Sequence, residues 1–347
     1  MVDYIVVGLG LAGTAFCETL RKNNKTFVVF NDQSQTSSRV AGGLYNPIIL
    51  KRFTLSWRAD EQLAVAMDFY RQLEEFLGLQ FDKKLPVLRK FASVEEQNLW
   101  FEAADKEKLK PFLDTQLVQN ENTSLKIPYA FGKVLETGKL DTRVLLEGYA
   151  EWLLGENMLF CETFDYDSLK VQPDVVTYKN VQAGNIIFAE GFGMLRNPLF
   201  NYLPMQGSKG EYIVIKAKDL KETTIVKSSI FLIPLGNDLY KVGATYVRGQ
   251  KNNITTEDSK VELIKKLDAL LECSYTVIDQ EAGMRPTVKD RRPLLGKHPD
   301  YQNVWILNGF GSHGIMIAPW ASKALYDRIE SKVPILKEMD IERFRKS

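Results

Sequence analysis

Three observations predict an α/β fold with an inserted sheet domain. The chain opens on a buried strand, a glycine-rich turn, a helix and a second buried strand. It closes on a strand, another glycine-rich loop and a long helix. Between these ends the apolar residues fall in short runs separated by turns, as in an antiparallel sheet. Together they predict a discontinuous Rossmann-like domain, built from separate chain segments, with an antiparallel-sheet domain inserted. The 347 residues give the length of about two ordinary domains.

The elements follow in order. Tyr4-Ile5-Val6-Val7 is continuously apolar, as a strand buried on both faces must be. A helix is expected from Leu11 to Lys22, ended by Asn23-Asn24, and Phe27 to Phe30 form the next strand. From Trp57 to Leu77 the residues Leu63, Met67, Tyr70, Leu73 and Leu77 share one helical stripe, and Gly78 suits the C-terminal cap. Ser93-Val94-Glu95-Glu96 reads as a capping box and Asp141 as the N-cap of a helix to Leu154. Residues 114–128 read as loop. Asn185 to Phe188 form a buried strand that runs into Ala189-Glu190-Gly191. Gly236-Asn237-Asp238 marks a hairpin, and residues 257–272 a helix. Val304 to Leu307, the loop Gly309 to Gly314 and a helix to Ser331 complete the chain.

Composition narrows the function. With 45 Lys+Arg against 44 Asp+Glu the chain is nearly neutral, which speaks against a nucleic-acid partner. Its two histidines, His298 and His313, exclude a His-rich metal site and argue against a Ser-His-Asp hydrolase. Cys17, Cys161 and Cys273 are too sparse for a disulfide framework and suit a reducing compartment. No apolar run is long enough for a membrane span. The expectation is a soluble cytoplasmic protein, and nothing in the sequence signals an oligomeric state.

Gly8-x-Gly10-x-x-Gly13 lies between strand and helix, where a dinucleotide fingerprint belongs. Gly8 makes the tight turn, Gly10 admits a pyrophosphate, and Gly13 lets helix and strand pack closely. The helix start, Leu11 and Ala12, offers free N–H groups to the phosphates. The acidic ribose ligand expected about 20 residues on is replaced by Asn31, with Asp32 beside it. NAD and FAD both remain open at this point.

Four further segments occur in order: Val40-Ala41-Gly42-Gly43, Gly283-Met284-Arg285-Pro286, Asp290-Arg291-Arg292-Pro293 and Asn308-Gly309-Phe310-Gly311-Ser312-His313-Gly314-Ile315. With the N-terminal fingerprint they resemble the D-amino-acid oxidase (DAO) family of FAD enzymes, over nearly the whole chain. The tail also resembles the oxidase half of the bifunctional enzymes that mature the wobble uridine of tRNA.

The resemblance implies an FAD-dependent amine or amino-acid oxidase or dehydrogenase. FAD would be non-covalent, because the C-terminal loop lacks the cysteine to which sarcosine oxidase-like members bind flavin. It implies an FAD-binding domain from 1–45, 140–205 and 280–347, and a substrate domain from 46–139 and 206–279. Ser38, Arg39, Val40, Ala41, Gly42 and Gly43 match the second FAD segment. Ala189 and Gly191 match the loop beside the pyrophosphate, where Glu190 replaces a small residue. Phe164 takes the slot whose backbone meets adenine, or is a core residue. Gly309, Gly311, Ser312, His313, Gly314 and Ile315 match the loop that caps the flavin ring.

Arg285 would bind a substrate carboxylate, for which a planar guanidinium fork is suited. Phe231 stands where glycine oxidase-like members carry tyrosine. Lys241 would lie near flavin N5 and assist the reaction with oxygen, or is a solvated strand lysine. Strand alternation sets Lys241, Gly243 and Thr245 on one face and Tyr240, Val242 and Tyr246 on the other. His313 is a candidate at the substrate or a packed loop residue, and Tyr45 and Tyr246 are candidates for the rim. The expected reaction is oxidation of a C–N bond in a small amine, with O2 or another electron acceptor. The alternatives are an NAD(P)-linked dehydrogenase, a degenerate FAD-binding protein and a flavoprotein acting on a modified tRNA base.

Overall fold

The computed structural model describes residues 1–247 and 249–345. Its helices are α1 (Leu11–Lys22), α2 (Ser37–Val40), α3 (Ala59–Leu77), α4 (Val94–Ala104), α5 (Thr142–Gly155), α6 (Glu257–Asp268) and α7 (Gly314–Ser331). Two large sheets organise the chain. In the first, of eight strands, Val2–Val7 lies parallel between Phe27–Phe30 and Val181–Phe188. Val181–Phe188 pairs at its start with Val176–Tyr178 and at its end with Val304–Asn308. Tyr4, Ile5 and Val6, Ile186 to Phe188 and Val304 to Leu307 are all buried, as continuous apolar runs require.

α1 and α7 pack on each other, and α3 packs on α7. Pro319 sits inside α7 and has no N–H for the carbonyl of Ile315, four residues earlier. The Tyr70 hydroxyl on α3 fills that place, donating to the Ile315 oxygen at 2.9 Å.

The second sheet, of seven strands, runs in the order Thr276–Arg285, Ser208–Lys216, Leu239–Gly243, Phe231–Gly236, Ile225–Lys227, Val87–Lys90, Phe131–Val134. Its hairpin turns at Asn237 and Asp238, both with positive φ, as a two-residue turn between twisted strands demands.

Local signals account for most boundaries. Gly78 caps α3 at φ +65°. Ser93 accepts from the Glu96 N–H, while Glu96 reaches back to the Ala92 N–H. Asp141 accepts from the N–H groups of Arg143 and Val144. α6 ends at Asp268, earlier than the expected 272. The chain turns there because Leu270 and Leu271 are drawn into the sheet core, and the Leu270 carbonyl accepts from the Lys126 N–H. No helix of the described residues is long and apolar enough to cross a membrane.

Candidate functional site

A continuous cleft of about 810 Å³ runs from the carboxyl ends of the first sheet's strands to the face of the second sheet. The carboxyl edge of an open parallel sheet is where such folds bind ligands. Gly8 turns the chain at φ +97°, and a Cβ there would stand 2.6 Å from the Ala189 oxygen. A Cβ on Gly13 would stand 1.9 Å from the Gly8 oxygen, so only glycine lets α1 start where it does. α1 has no side-chain cap at Gly10. Its first turn brings N–H groups and the positive end of the helix dipole to the cleft. Asn31 accepts from the Leu9 N–H and Ser38 from the Leu11 N–H, both at 3.3 Å. These two side chains hold the loop open from below.

At one end of the cleft, Asp32 accepts from the Ser34 N–H and the Thr163 hydroxyl. Burial tends to raise its pKa, but these hydrogen bonds and Arg196 hold it below the usual carboxylate value. Glu190 takes bonds from the Tyr166 hydroxyl and from Asn197 at 2.7 Å, and burial pushes its carboxyl up. Phe164 lines the cleft, but its ring is committed to the core, stacked 4.1 Å from Tyr178.

Midway, Gly42 approaches the second sheet so closely that a Cβ would meet Ile233 at 2.9 Å. A Cβ on Gly43, at φ +73°, would meet the Leu140 oxygen at 2.1 Å. Opposite lies the start of α7, whose N-cap is His313 with no side-chain cap. Burial holds the His313 imidazole below its ordinary pKa, so it is neutral near pH 7.

The other end lies on the second sheet. The Arg285 guanidinium rests on Gly210, where a Cβ would stand 2.0 Å from its Nη2. It donates to the Thr245 carbonyl, at 3.3 and 3.4 Å, and lies 4.2 Å from the Tyr246 ring centroid. Among the described residues it has no carboxylate partner, so most of its donors face the cleft. Phe231, Tyr212, Ser229 and Lys227 complete this wall.

The structure therefore gathers Gly8, Gly10, Leu11, Ala12, Asn31, Asp32, Ser38, Arg39, Val40, Ala41, Gly42, Gly43, Phe164, Ala189, Gly191, Gly311, Ser312, His313, Gly314, Ile315, Phe231 and Arg285 around one cavity. Gly13 and Gly309 lie behind it. Gly309, at φ +81°, is pressed against Val288 and Leu294.

Lys241 is a correction. Its ammonium is paired with Glu281 at 2.6 Å and does not line the cleft. The strand ends at Gly243, and beyond it alternation fails: Ala244 and Tyr246 face the cleft, while Thr245 is buried against Glu211. Tyr45 is also buried away from the rim, donating to Asp82 at 2.8 Å. The sequence reading missed Lys227, Tyr212 and Ser229. The alternation of Gly210 and Tyr212 along Ser208–Lys216 was the available signal for Tyr212. The three-residue strand Ile225–Lys227 offered none for Lys227.

A glycine-lined dinucleotide cleft joined to a cationic pocket is the arrangement of a dinucleotide-dependent oxidoreductase. The chain belongs to the DAO family of FAD dependent oxidoreductases, whose model matches residues 3–328. It is 26% identical over 359 residues to the glycine oxidase of Bacillus subtilis (strain 168), covering 95% of this chain and 93% of that protein. The crystal structure of glycine oxidase from Geobacillus kaustophilus superposes with a TM-score of 0.78 at 18% identity, covering 97% and 96% of the two chains. The tRNA 5-methylaminomethyl-2-thiouridine biosynthesis bifunctional protein of Shewanella pealeana is 23% identical over 181 residues, covering 42% of this chain and 28% of that protein. The protein is an FAD-dependent oxidoreductase. Its cleft fits that cofactor, because Gly8, Gly10, Gly42 and Gly43 line it together with the starts of α1 and α7, neither of which has a side-chain cap from its N-cap residue.

Proposed function

We propose that the protein oxidises the C–N bond of an amino acid or of a secondary amine bearing a carboxylate, with O2 or another compound as terminal acceptor. Segments 1–45, 140–205 and 280–347 hold FAD, and segments 46–139 and 206–279 shape the substrate pocket. FAD, when bound, supplies the acceptor for the hydride of the substrate's α-C–H, and the imine left behind is hydrolysed by water. Gly8, Gly10, Leu11 and Ala12 hold the pyrophosphate, with Asn31 and Asp32 at the adenosine end. Ala41 to Gly43 and Gly311 to Ile315 flank the flavin, where the start of α7 favours negative charge.

The observation that carries this reading is Arg285. A half-buried guanidinium with one carbonyl acceptor is an unfilled site for a planar anion. Tyr246 backs it and Gly210 leaves it room, so its position is fixed before substrate arrives. Phe231 and the Tyr212 ring would give the substrate an apolar surface beside the two cations of that wall. No side chain is required as a base, because the substrate amine has only to be bound neutral.

The test is anaerobic addition of an amine and amino-acid panel to the FAD-loaded protein, read by bleaching of the flavin bands. At least one carboxylate-bearing amine should bleach them. Arg285→Lys should raise its KM roughly 10- to 150-fold, the worth of a charge-assisted pair. Flavin that no amine bleaches, or an unchanged KM, overturns the proposal.

A further inference from the structure

The substrate end of the cleft carries a second cation that the reading above does not use. Lys227 closes the strand Ile225–Lys227 and lines the same cavity as Arg285. Its Nζ lies 4.5 Å from the centroid of the Phe231 ring. The strand ladder relates the two cations. Lys227 is paired with Phe231, and Phe231 with Gly243, two residues before the Thr245 carbonyl that holds Arg285. Two strand spacings sideways and two residues along separate the Lys227 backbone from that carbonyl by roughly 12 Å, and both side chains line the cavity between.

Three neighbouring cations have counter-charges among the described residues. Lys266 is paired with Glu262, Arg89 with Glu96, and Lys241 with Glu281. Lys227 makes no ion pair and no hydrogen bond among the described residues. Burial pushes its ammonium down to about 8, and Arg89 and Lys266 add to the effect. A half-buried charge without a partner is less well solvated than one in water, and an anion that reaches it restores what it lacks.

We propose that Lys227 is a specificity-determining residue that binds a second anionic group of the substrate. The preferred substrate is a small amine with one carboxylate on Arg285 and a further carboxylate or phosphate-type group on Lys227. Such a dianion would place one anionic group on each of the two cations that line the cavity. The inference rests on the assignment of Arg285 to the first carboxylate.

The test measures binding by calorimetry on the FAD-loaded protein, with propionate against succinate and acetate against phosphonoacetate. The dianions should bind about tenfold tighter or more. The better of the two names the second group as carboxylate or phosphate-like. Lys227→Met should collapse the dianion preference to near one, and Lys227→Arg should retain it. Should Lys227→Met lose its FAD, Lys227→Gln carries the same comparison. Arg285→Lys should weaken all four ligands together. Wild-type protein without a dianion preference, or Lys227→Met that keeps it, overturns the inference and leaves the role of Arg285 standing. Wild-type protein that binds none of the four overturns both.

Discussion

The glycine fingerprint makes a prediction that separates fold from cofactor. Gly13→Ala puts a Cβ 1.9 Å from the backbone oxygen of Gly8. Ordinary contact begins at 3.4 Å, so α1 and the turn must part by about 1.5 Å. No flexible side chain is there to yield. The expected cost is ~1–3 kcal/mol of stability before any cofactor is considered. Gly10→Ala is different. Its φ of −86° suits any residue, and its Cβ meets only the Ser38 hydroxyl, at 3.2 Å. Loss of glycine freedom in the unfolded chain offsets that contact by ~0.4–1 kcal/mol. The apoprotein should therefore be nearly as stable as wild type. The new methyl instead projects where the backbone admits the pyrophosphate. Displacing that group by ~1–3 kcal/mol of overlap weakens FAD roughly 5- to 150-fold.

The assay is a urea midpoint on each apoprotein together with an FAD titration followed by protein fluorescence. Gly13→Ala should lose both stability and affinity, and Gly10→Ala affinity alone. Gly10→Ala with wild-type FAD affinity, or Gly13→Ala apoprotein with a wild-type midpoint, would refute the reasoning.

Four further outcomes are expected. Tyr70→Phe strips the hydroxyl that replaces the missing Pro319 N–H and should cost ~1–3 kcal/mol by urea titration. The cost should shrink in a Pro319→Ala background, where the alanine supplies a backbone N–H of its own. Gly210→Ala should lift the Arg285 guanidinium off its shelf, raising KM about tenfold while the urea midpoint moves by no more than ~0.5 kcal/mol. Lys209→Met removes the counter-charge of the buried Glu211, which keeps its bonds from Thr256 and Gln280, and should cost ~3–5 kcal/mol by urea titration. Burial lowers the His313 pKa, so the unfolded chain binds the extra proton first as pH drops. Its contribution is complete above ~6.5 and is lost as pH falls through the folded pKa. His313→Asn should accordingly flatten the fall in apoprotein stability as pH drops below ~6.5.

What could be read from the sequence follows what each signal encodes. Gly8, Gly10, Gly42 and Gly43 were legible because their constraint is steric and local: a backbone must pass another backbone or a ligand. Arg285 was legible through the motif that carries it. Lys241 shows the limit of alternation, which predicts the face of a strand and not the distance along it. Two residues before Gly243 the same face is already covered, and Glu281 takes the charge. Lys227 was invisible because its meaning is topological. Only the strand order, with Phe231–Gly236 beside Ile225–Lys227, carries it to the cleft that holds Arg285.

One strand organises the substrate end from both of its faces. Along Ser208–Lys216, Gly210 and Tyr212 face the cleft, while Lys209 and Glu211 point into the opposite side. Gly210 is small because Arg285 lies on it, and Gly243 is small because the Tyr212 ring does. On the reverse face Lys209 and Glu211 pair at 3.2 Å. Lys209 holds Gln250 and Ile254, and Glu211 holds Thr256 and Gln280. The segment that follows Tyr246 is thus tied down by the same residues whose neighbours shape the anion pocket. A period of two lets a single strand hold a free cation toward the substrate and a neutralised pair toward the core. A shift of one residue would exchange them, burying Tyr212 in the place of the ion pair.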